Sequence, residues 1–439
     1  MAAPLLDKLR AIVGAAHVLG GVELSPYVID GRTPLAAVFP GSAEEVAAVV
    51  AFAAEASVPV VAWGGGTASS VGMPPPRAGV VVVLTRLRAI VEHEPGDLTV
   101  TAQAGVTLGE LQTALRARGQ WLSLDPPDAE RATLGGVLAA NASGPRRHLY
   151  GTARDSLIGV TVVTADSSLV RGGGRVVKNV AGYDLPKLFI GSYGTLGVIV
   201  EATLKLRPVP DEERLVGVRF ERLKDAGAAA RALVGSDLIP SAVDLLDGAA
   251  AAALGLDDAP ATLVVGFDGL GEQVDWQVTQ LAALVAGGGG RGVASLPPSA
   301  WSRLARASHN AFGTPAAVMT LSVLPSVVAD VMEQGTAAAR HRGLVTAWSA
   351  HAGVGIVTGA VRADGDRQDP ATLAAVLAEW RAAARAGGGH ASLTWAPLAV
   401  KEALPVWDDA GPAGRIMQRI KAQLDPRNLL NPGRFVAGI

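Results

Sequence analysis

The run Val80-Val-Val-Val-Leu84 has no polar face. Successive side chains of a strand point to opposite sides of a sheet, so such a run must be covered on both sides. The chain therefore has to build a layered fold. Its neighbours supply the cover. Ser42-Ala-Glu-Glu45 reads as a capping box that opens a helix to Glu55, with Val46, Val49, Val50 and Ala53 on the buried stripe. Val58 to Ala62 reads as a second strand, and Trp63 to Met73 as a glycine-rich loop between the two strands. Residues 5–18 have the apolar spacing of a short helix.

The same reading continues along the chain. Ala89–His93 and Leu98–Ala102 flank the turn sequence Glu94-Pro-Gly-Asp97 and read as a hairpin. Thr107-Leu-Gly-Glu110 is a second capping box, opening a helix to Arg118. Leu134–Asn141 reads as a short helix, and Leu157–Thr164 and Val198–Leu206 as strands. Arg207-Pro-Val-Pro210 and the acidic Asp211-Glu-Glu213 mark a domain exit. Beyond it, strands at Leu215–Phe220, Ala261–Phe267, Ala316–Leu321 and Gly355–Val361 alternate with alanine-rich helices. That texture predicts an antiparallel sheet backed by helices, an α+β layer pair. Gly414–Leu424 reads as a last helix with Ile416, Ile420 and Leu424 on one face, and no internal repeat is visible. The predicted organisation divides the chain into residues 1–210, an α+β region at 211–405, and a helix and tail at 406–439.

Composition narrows the function. A chain of 439 residues exceeds one ordinary core. Lysine plus arginine number 38 against 40 acidic residues, with no basic stripe, which argues against a nucleic-acid binder. The absence of cysteine excludes disulfides, thiolate metal sites, iron–sulfur clusters and a thiol nucleophile in this chain. It also fits a reducing, cytoplasmic compartment. No uncharged apolar run reaches eighteen residues, so no transmembrane segment is expected, and Asp7, Lys8 and Arg10 interrupt the N-terminal stretch where a signal peptide would be apolar.

Three segments carry chemistry. Trp63-Gly-Gly-Gly-Thr-Ala-Ser69 follows a strand, and its glycines let backbone amides approach an anion, with Thr67 and Ser69 hydroxyls at hand. With 53 glycines in the chain, a triple run arises by chance about once, so the run means little alone. Second, Leu124-Asp-Pro-Pro-Asp128 precedes Ala132-Thr-Leu-Gly-Gly136 and Asn141-Ala-Ser-Gly144; amides near Thr133–Gly136 at a helix start suit a pyrophosphate, or else mark a tight turn packed through glycine. Third, Lys178-Asn-Val-Ala-Gly-Tyr-Asp-Leu-Pro-Lys-Leu-Phe189 leads to Gly191-Ser-Tyr-Gly-Thr-Leu-Gly-Val-Ile199, placing Lys178 and Lys187 near a glycine-rich turn.

In this order, with Tyr150-Gly151, Arg154-Asp155 and the C-terminal Leu429-Leu-Asn-Pro-Gly-Arg434, the segments resemble the FAD-binding domain of the vanillyl-alcohol oxidase and p-cresol methylhydroxylase (PCMH) superfamily. Within it, the segment 178–189 is similar to the FAD-binding subunits of bacterial glycolate oxidase complexes. The resemblance implies an α+β fold: a two-subdomain PCMH-type FAD-binding domain at 1–210 plus a C-terminal ferredoxin-like cap at 211–405, with 406–439 returning to the FAD domain. It implies FAD contacts from Trp63, Gly64, Gly65, Gly66, Thr67, Ala68, Ser69, Pro127, Thr133, Leu134, Gly135, Gly136, Ala142, Ser143, Gly144, Tyr150, Gly151, Asn179, Gly194, Gly197, Val198 and Ile199. Lys178 and Tyr183 would lie nearer the flavin ring, as would Asn179.

Two departures from the family shape the expectation. The glycine loop carries no His and the chain no Cys, so FAD is expected to be non-covalent. Relatives that oxidise 2-hydroxy acids resemble His-Ala-Gly-Asp-Gly-Asn-x-His in the cap, with a later Glu-His-Gly. Here His351-Ala-Gly-Val-Gly-Ile-Val-Thr358 keeps only the first His, and no Glu-His-Gly follows. A lone His351 cannot complete a multi-ligand metal site, so no metal is expected and His351 stands with Lys178 and Tyr183 as the catalytic candidates. The tryptophans at 301, 348, 395 and 407 are expected to pack the cap or face a partner. The expected function is an FAD-dependent oxidoreductase subunit of a glycolate (2-hydroxy acid) oxidase complex. A homologous FAD-containing subunit and an iron–sulfur subunit would be its partners, and the membrane would be reached only through them. The alternatives are a stand-alone glycolate or D-lactate dehydrogenase and a non-catalytic assembly subunit.

Overall fold

The computed structural model of the chain describes residues 2–174, 184–256, 259–363 and 369–439. It is a mixed α+β structure in two compact units. The first comprises Met1–Ala142, Thr152–Val209 and Asp409–Ile439; the second comprises Ser143–Gly151 and Pro210–Asp408.

The first unit holds two sheets. Strands β1 (Val18–Leu19), β2 (Ala36–Val38), β3 (Val60–Trp63) and β4 (Val80–Val83) form a four-stranded sheet in the order β1-β2-β4-β3. β2 and β3 both run parallel to β4, which all four valines bury. The helix Ala43–Glu55 buries Val46, Val49, Val50 and Ala53, and Ser42 caps it by accepting from Glu45 N at 3.2 Å. The reciprocal arm of the box lands one residue early, the Glu45 carboxylate accepting from Gly41 N at 2.6 Å. The second sheet contains β5 (Ile90–Glu94), β6 (Thr99–Gln103), β8 (Leu157–Val163), β9 (Leu169–Gly173) and β10 (Val198–Lys205), ordered β5-β6-β10-β8-β9 and antiparallel throughout. A short pair, β7 (Gln120–Trp121) with β11 (Arg207–Pro208), lies beside it in the chain order. At Thr107 both arms of the capping box form, at 3.1 and 3.2 Å, and the helix is Leu108–Arg116. The N-terminal helix ends earlier than its apolar spacing suggests. It is Ala2–Val13, because Gly14 takes φ +89° and turns the chain into a short 3-10 segment and then β1.

The second unit is one eight-stranded sheet. Its strands are β12 (Glu212–Phe220), β13 (Ala242–Asp247), β14 (Ala261–Gly269), β15 (Arg291–Ser295), β16 (Ala317–Ser322), β17 (Leu344–His351), β18 (Ile356–Ala363) and β19 (His390–Trp395), in the order β15-β12-β14-β13-β17-β18-β16-β19. This order contains a duplication that the amino-acid sequence does not display. β12, the helix Leu223–Val234, β13, β14, the helix Gly271–Ala286 and β15 make one βαββαβ unit of ferredoxin-like strand order. β16, the helix Val328–Arg340, β17, β18, the helix Pro370–Ala386 and β19 repeat it, and the two join edge to edge where β13 pairs β17. The repeat is invisible in the sequence because only the apolar alternation and helix spacing are kept, and these do not demand particular residues.

Trp348 and Trp380 form the densest point of the second repeat. Both are buried, their rings are 4.3 Å apart, and Trp380 Nε1 donates to Gly335 O at 2.9 Å. Gly335 and Gly359 are glycine because a Cβ at either would overlap the Trp348 ring. Trp348→Ala removes the group around which this space is shaped. It should lower the stability of the second unit by about 3–5 kcal/mol, read as an earlier midpoint in urea unfolding followed by circular dichroism.

Candidate functional site

The first unit contains a pocket built from three loops. The glycine loop after β3 contributes Trp63 through Ser69; the helix Leu134–Ala140 contributes Gly135, Gly136, Ala139 and Ala140; and the loop before β10 contributes Tyr193, Gly194 and Gly197, with Ile199 on the strand. Ile29, Val61, Ala62, Leu84, Asn431 and Arg434 complete the lining.

The glycines are there because two stretches of backbone touch. A Cβ on Gly65 would overlap the Arg131 carbonyl oxygen, and one on Gly64 the Thr133 hydroxyl. Gly66 has φ +73°, a conformation that favours glycine, and turns the loop back against the Trp63 ring. Gly135 sits against Ala104, whose Cβ would be 2.7 Å from an added one. Trp63 is braced by Tyr27, ring centroids 5.5 Å apart and steeply inclined. Tyr193 occupies φ +51°, stacks on Phe435 at 5.4 Å, and has its phenol pushed up to about 12 by burial, so it stays neutral. The lining contains no aspartate, glutamate, histidine or cysteine, and its one ionised side chain is Arg434. Burial pulls the Arg434 guanidinium down to about 10, which leaves it a cation at neutral pH. A pocket of glycine backbone with a cation and no carboxylate fits an extended anionic cofactor.

Residues 34–173 match the FAD binding domain family, and residues 209–435 match the C-terminal domain of the FAD linked oxidases. The chain belongs to the FAD-linked oxidases. FAD is accordingly its cofactor. This oxidase is 28% identical over 434 residues to the glycolate oxidase subunit GlcD of Bacillus subtilis, covering 92% of the chain and 89% of the relative. It is 44% identical over 124 residues to the glycolate oxidase subunit GlcE of Escherichia coli, covering 28% of the chain and 35% of the relative. Its fold matches the crystal structure of p-cresol methylhydroxylase with substrate bound, with a TM-score of 0.80 at 18% identity, covering 99% of this chain and 96% of the other.

The sequence-derived candidates do not all fall in one place. Trp63 to Ser69, Gly135, Gly136, Gly194, Gly197 and Ile199 line the pocket together. Thr133, Leu134 and Val198 stand behind it. Thr133 caps the helix, its hydroxyl accepting from Gly136 N at 3.4 Å, while Leu134 and Val198 are buried in the core. Pro127 and Ala142 are half-buried and outside the lining. Ser143, Gly144, Tyr150 and Gly151 belong to the second unit, where the Tyr150 hydroxyl donates to Asp268 at 3.0 Å. Lys178, Asn179 and Tyr183 lie outside the described residues. Lys187 pairs with Asp184 at 2.7 Å. The reading missed the roles of Tyr193, Asn431 and Arg434; the signal for them was Asn431-Pro-Gly-Arg434 itself, whose residues were noted without a job.

The second unit places His351 on the seam of its two repeats. Asp244 of β13 faces His351 of β17, and His351 Nδ1 is 2.5 Å from Asp244 Oδ1. Asp244 is almost fully buried while His351 keeps 16% of its side chain exposed. His148, also of this unit, packs its ring where a Gly353 Cβ would be, and burial holds its imidazole below the ordinary value, with Asp244 pulling the other way. Among the described residues, no three histidine, aspartate or glutamate side chains gather as a metal site. Trp348 packs the core, and Trp301 lies under the Arg146 guanidinium at 4.0 Å.

Two predictions follow from this geometry. Gly65→Ala should release FAD, since a Cβ must push apart the glycine loop and the Arg131 carbonyl; the check is the 450 to 280 nm absorbance ratio after gel filtration, with circular dichroism unchanged. A histidine whose folded pKa is depressed binds fewer protons folded than unfolded, so its stability contribution is complete above the unfolded value near 6.5 and is lost as pH falls below it. His148→Asn should therefore lose less thermal stability between pH 7 and pH 5 than the parent chain does.

Proposed function

We propose that this chain is the FAD-binding subunit of a glycolate-oxidase-like complex, in which a 2-hydroxy acid becomes a 2-oxo acid. The observation that carries the reading is a flavin pocket in a chain without a single cysteine, alongside full-length similarity to a glycolate oxidase subunit. FAD supplies a two-electron acceptor for oxidation at the hydroxyl-bearing carbon. The protein's own residues would hold it: the glycine-loop backbone beside the anionic part, Gly135 and Gly136 allowing close approach although their amides are taken by Ala104 O and the Thr133 hydroxyl, and Trp63, Ala139 and Ile199 giving apolar walls. The bond to FAD is non-covalent, since the lining offers neither His nor Cys. A chain with no thiolate holds no iron–sulfur cluster, so in this complex the onward one-electron transfer falls to an iron–sulfur partner. Substrate oxidation falls to a homologous flavin-containing subunit, because His351 here has Asp244 as its neighbour in place of further ligands. The compartment is the cytoplasm, with the membrane reached through the partners; among the described residues no helix is long and apolar enough to cross one.

The same pair favours a second reading, that the chain oxidises glycolate or D-lactate unaided. A buried carboxylate on Nδ1 orients an imidazole and leaves Nε2 to take a proton, which is how a general base is held. One experiment separates the readings: the visible spectrum of the purified chain before and after anaerobic glycolate or D-lactate. A flavin spectrum that stays unchanged until the partner subunits are added supports the subunit role. Bleaching by the isolated chain, abolished in His351→Asn, would replace it with the stand-alone dehydrogenase. A chain that takes up no flavin would sink both.

A further inference from the structure

The C-terminal tail joins two walls of the cofactor pocket, the glycine loop and the loop before β10. Leu429 O accepts from Val60 N at 2.8 Å and Asn431 N donates to Val60 O at 2.8 Å, so the tail lies as an added strand on β3, which leads into the glycine loop. Asn431 Nδ2 donates to Tyr193 O at 2.5 Å, on the opposite wall. Three residues on, the buried Arg434 guanidinium donates to Ser69 O at 2.6 Å, Val71 O at 2.7 Å and Met73 O at 3.2 Å. Gly72, at φ +91°, leaves the space for the Arg434 carbonyl, which any Cβ there would strike. The tail's own position is set by Lys421, whose ammonium donates to Thr195 O at 2.7 Å, Leu430 O at 2.8 Å and Asp425 at 2.6 Å. The Asp425 carboxylate in turn accepts from Leu429 N and Leu430 N at 2.9 and 2.8 Å.

We propose that Arg434 is a positioning residue for FAD: its guanidinium holds the 69–73 half of the glycine loop by three carbonyls, fixing the 64–69 half in the shape that receives the cofactor. This rests on the assignment of that loop to FAD. The loop is then anchored at both ends, by β3 on one side and by Arg434 on the other. A loop already ordered loses less conformational freedom when the ligand binds, and that saving appears as affinity. A planar fork with donors on three sides can serve three carbonyls at once; an ammonium at the end of a flexible stem matches that geometry less well.

The test is FAD affinity, by fluorescence titration of chain stripped of flavin, for Arg434→Ala, Arg434→Lys and Arg427→Ala. Arg427 belongs to the same tail and donates to Ala54 O at 3.1 Å at the end of the helix Ala43–Glu55, outside the pocket lining. Arg434→Ala should weaken FAD binding roughly tenfold or more, the scale of lost charged hydrogen bonds. Arg434→Lys should fall between, and Arg427→Ala should stay within about threefold of the parent. Methylguanidinium added to Arg434→Ala should restore affinity, whereas a merely loosened chain would be weakened further by it. Parent-like affinity in Arg434→Ala, equal losses in Arg434→Ala and Arg427→Ala, or no rescue would each overturn the proposal. Should the alanine variant fail to fold, the lysine variant with parent-like affinity would overturn it equally. A parent chain that binds no FAD would defeat the cofactor assignment itself, and is seen before any variant is compared.

Discussion

Everything at the pocket depends on one backbone-on-backbone contact. Gly64 and Gly65 lie against Arg131–Thr133 so closely that a methyl group would overlap a carbonyl oxygen or the Thr133 hydroxyl. The contact brings the first sheet's glycine loop against the start of the helix Leu134–Ala140, so that both line one pocket. A side chain at 65 would open this contact locally whether or not a ligand is bound. Thr133, which looked from the sequence like a ligand contact, is spent on capping the helix and on filling the space behind Gly64.

The second determinant is buried charge. Lys421, Asp425 and Arg434 are all nearly withdrawn from solvent, and burial drives the Lys421 ammonium down from its ordinary value while Asp425 opposes that. Such groups are costly unless their hydrogen bonds are made, and here carbonyls and amides of the tail and pocket loops make them. Their effect is on specificity of placement more than on stability. The tail can dock in only one register, because a shift of one residue would leave a buried ammonium facing the wrong carbonyls. The amphipathic helix before it, Pro412–Leu424, packs Ile420 and Leu424 against the first unit's core and leaves Ile416 exposed, and buried Lys421 adds polar contacts to that stripe.

The second unit shows the opposite economy. Its sheet is assembled from two βαββαβ halves joined at β13 and β17, where Asp244 meets His351 across the strands. Its interior is sized by the two tryptophans at 348 and 380, with Gly335 and Gly359 opposite them. Alanine-rich helices can cover such a sheet with little sequence information, which is why the duplication left no readable trace.

Local chemistry was legible in the sequence. The apolar run at 80–84, the capping residues Ser42 and Thr107, and the turn at 94–97 dictate their elements through backbone sterics and hydrogen bonding among near neighbours. The glycine loops and the family they resemble were legible for the same reason, since close backbone approach tolerates no other residue. What the sequence could not decide were relations between distant segments: that Gly65 meets Arg131, that Asp244 faces His351, that Arg434 spans three loop carbonyls. Each depends on which strand lies beside which, and strand order is set by the packing of the whole core. His351 illustrates the division. Its type and its motif were plain, but whether it had a partner was fixed only when β13 came to lie beside β17.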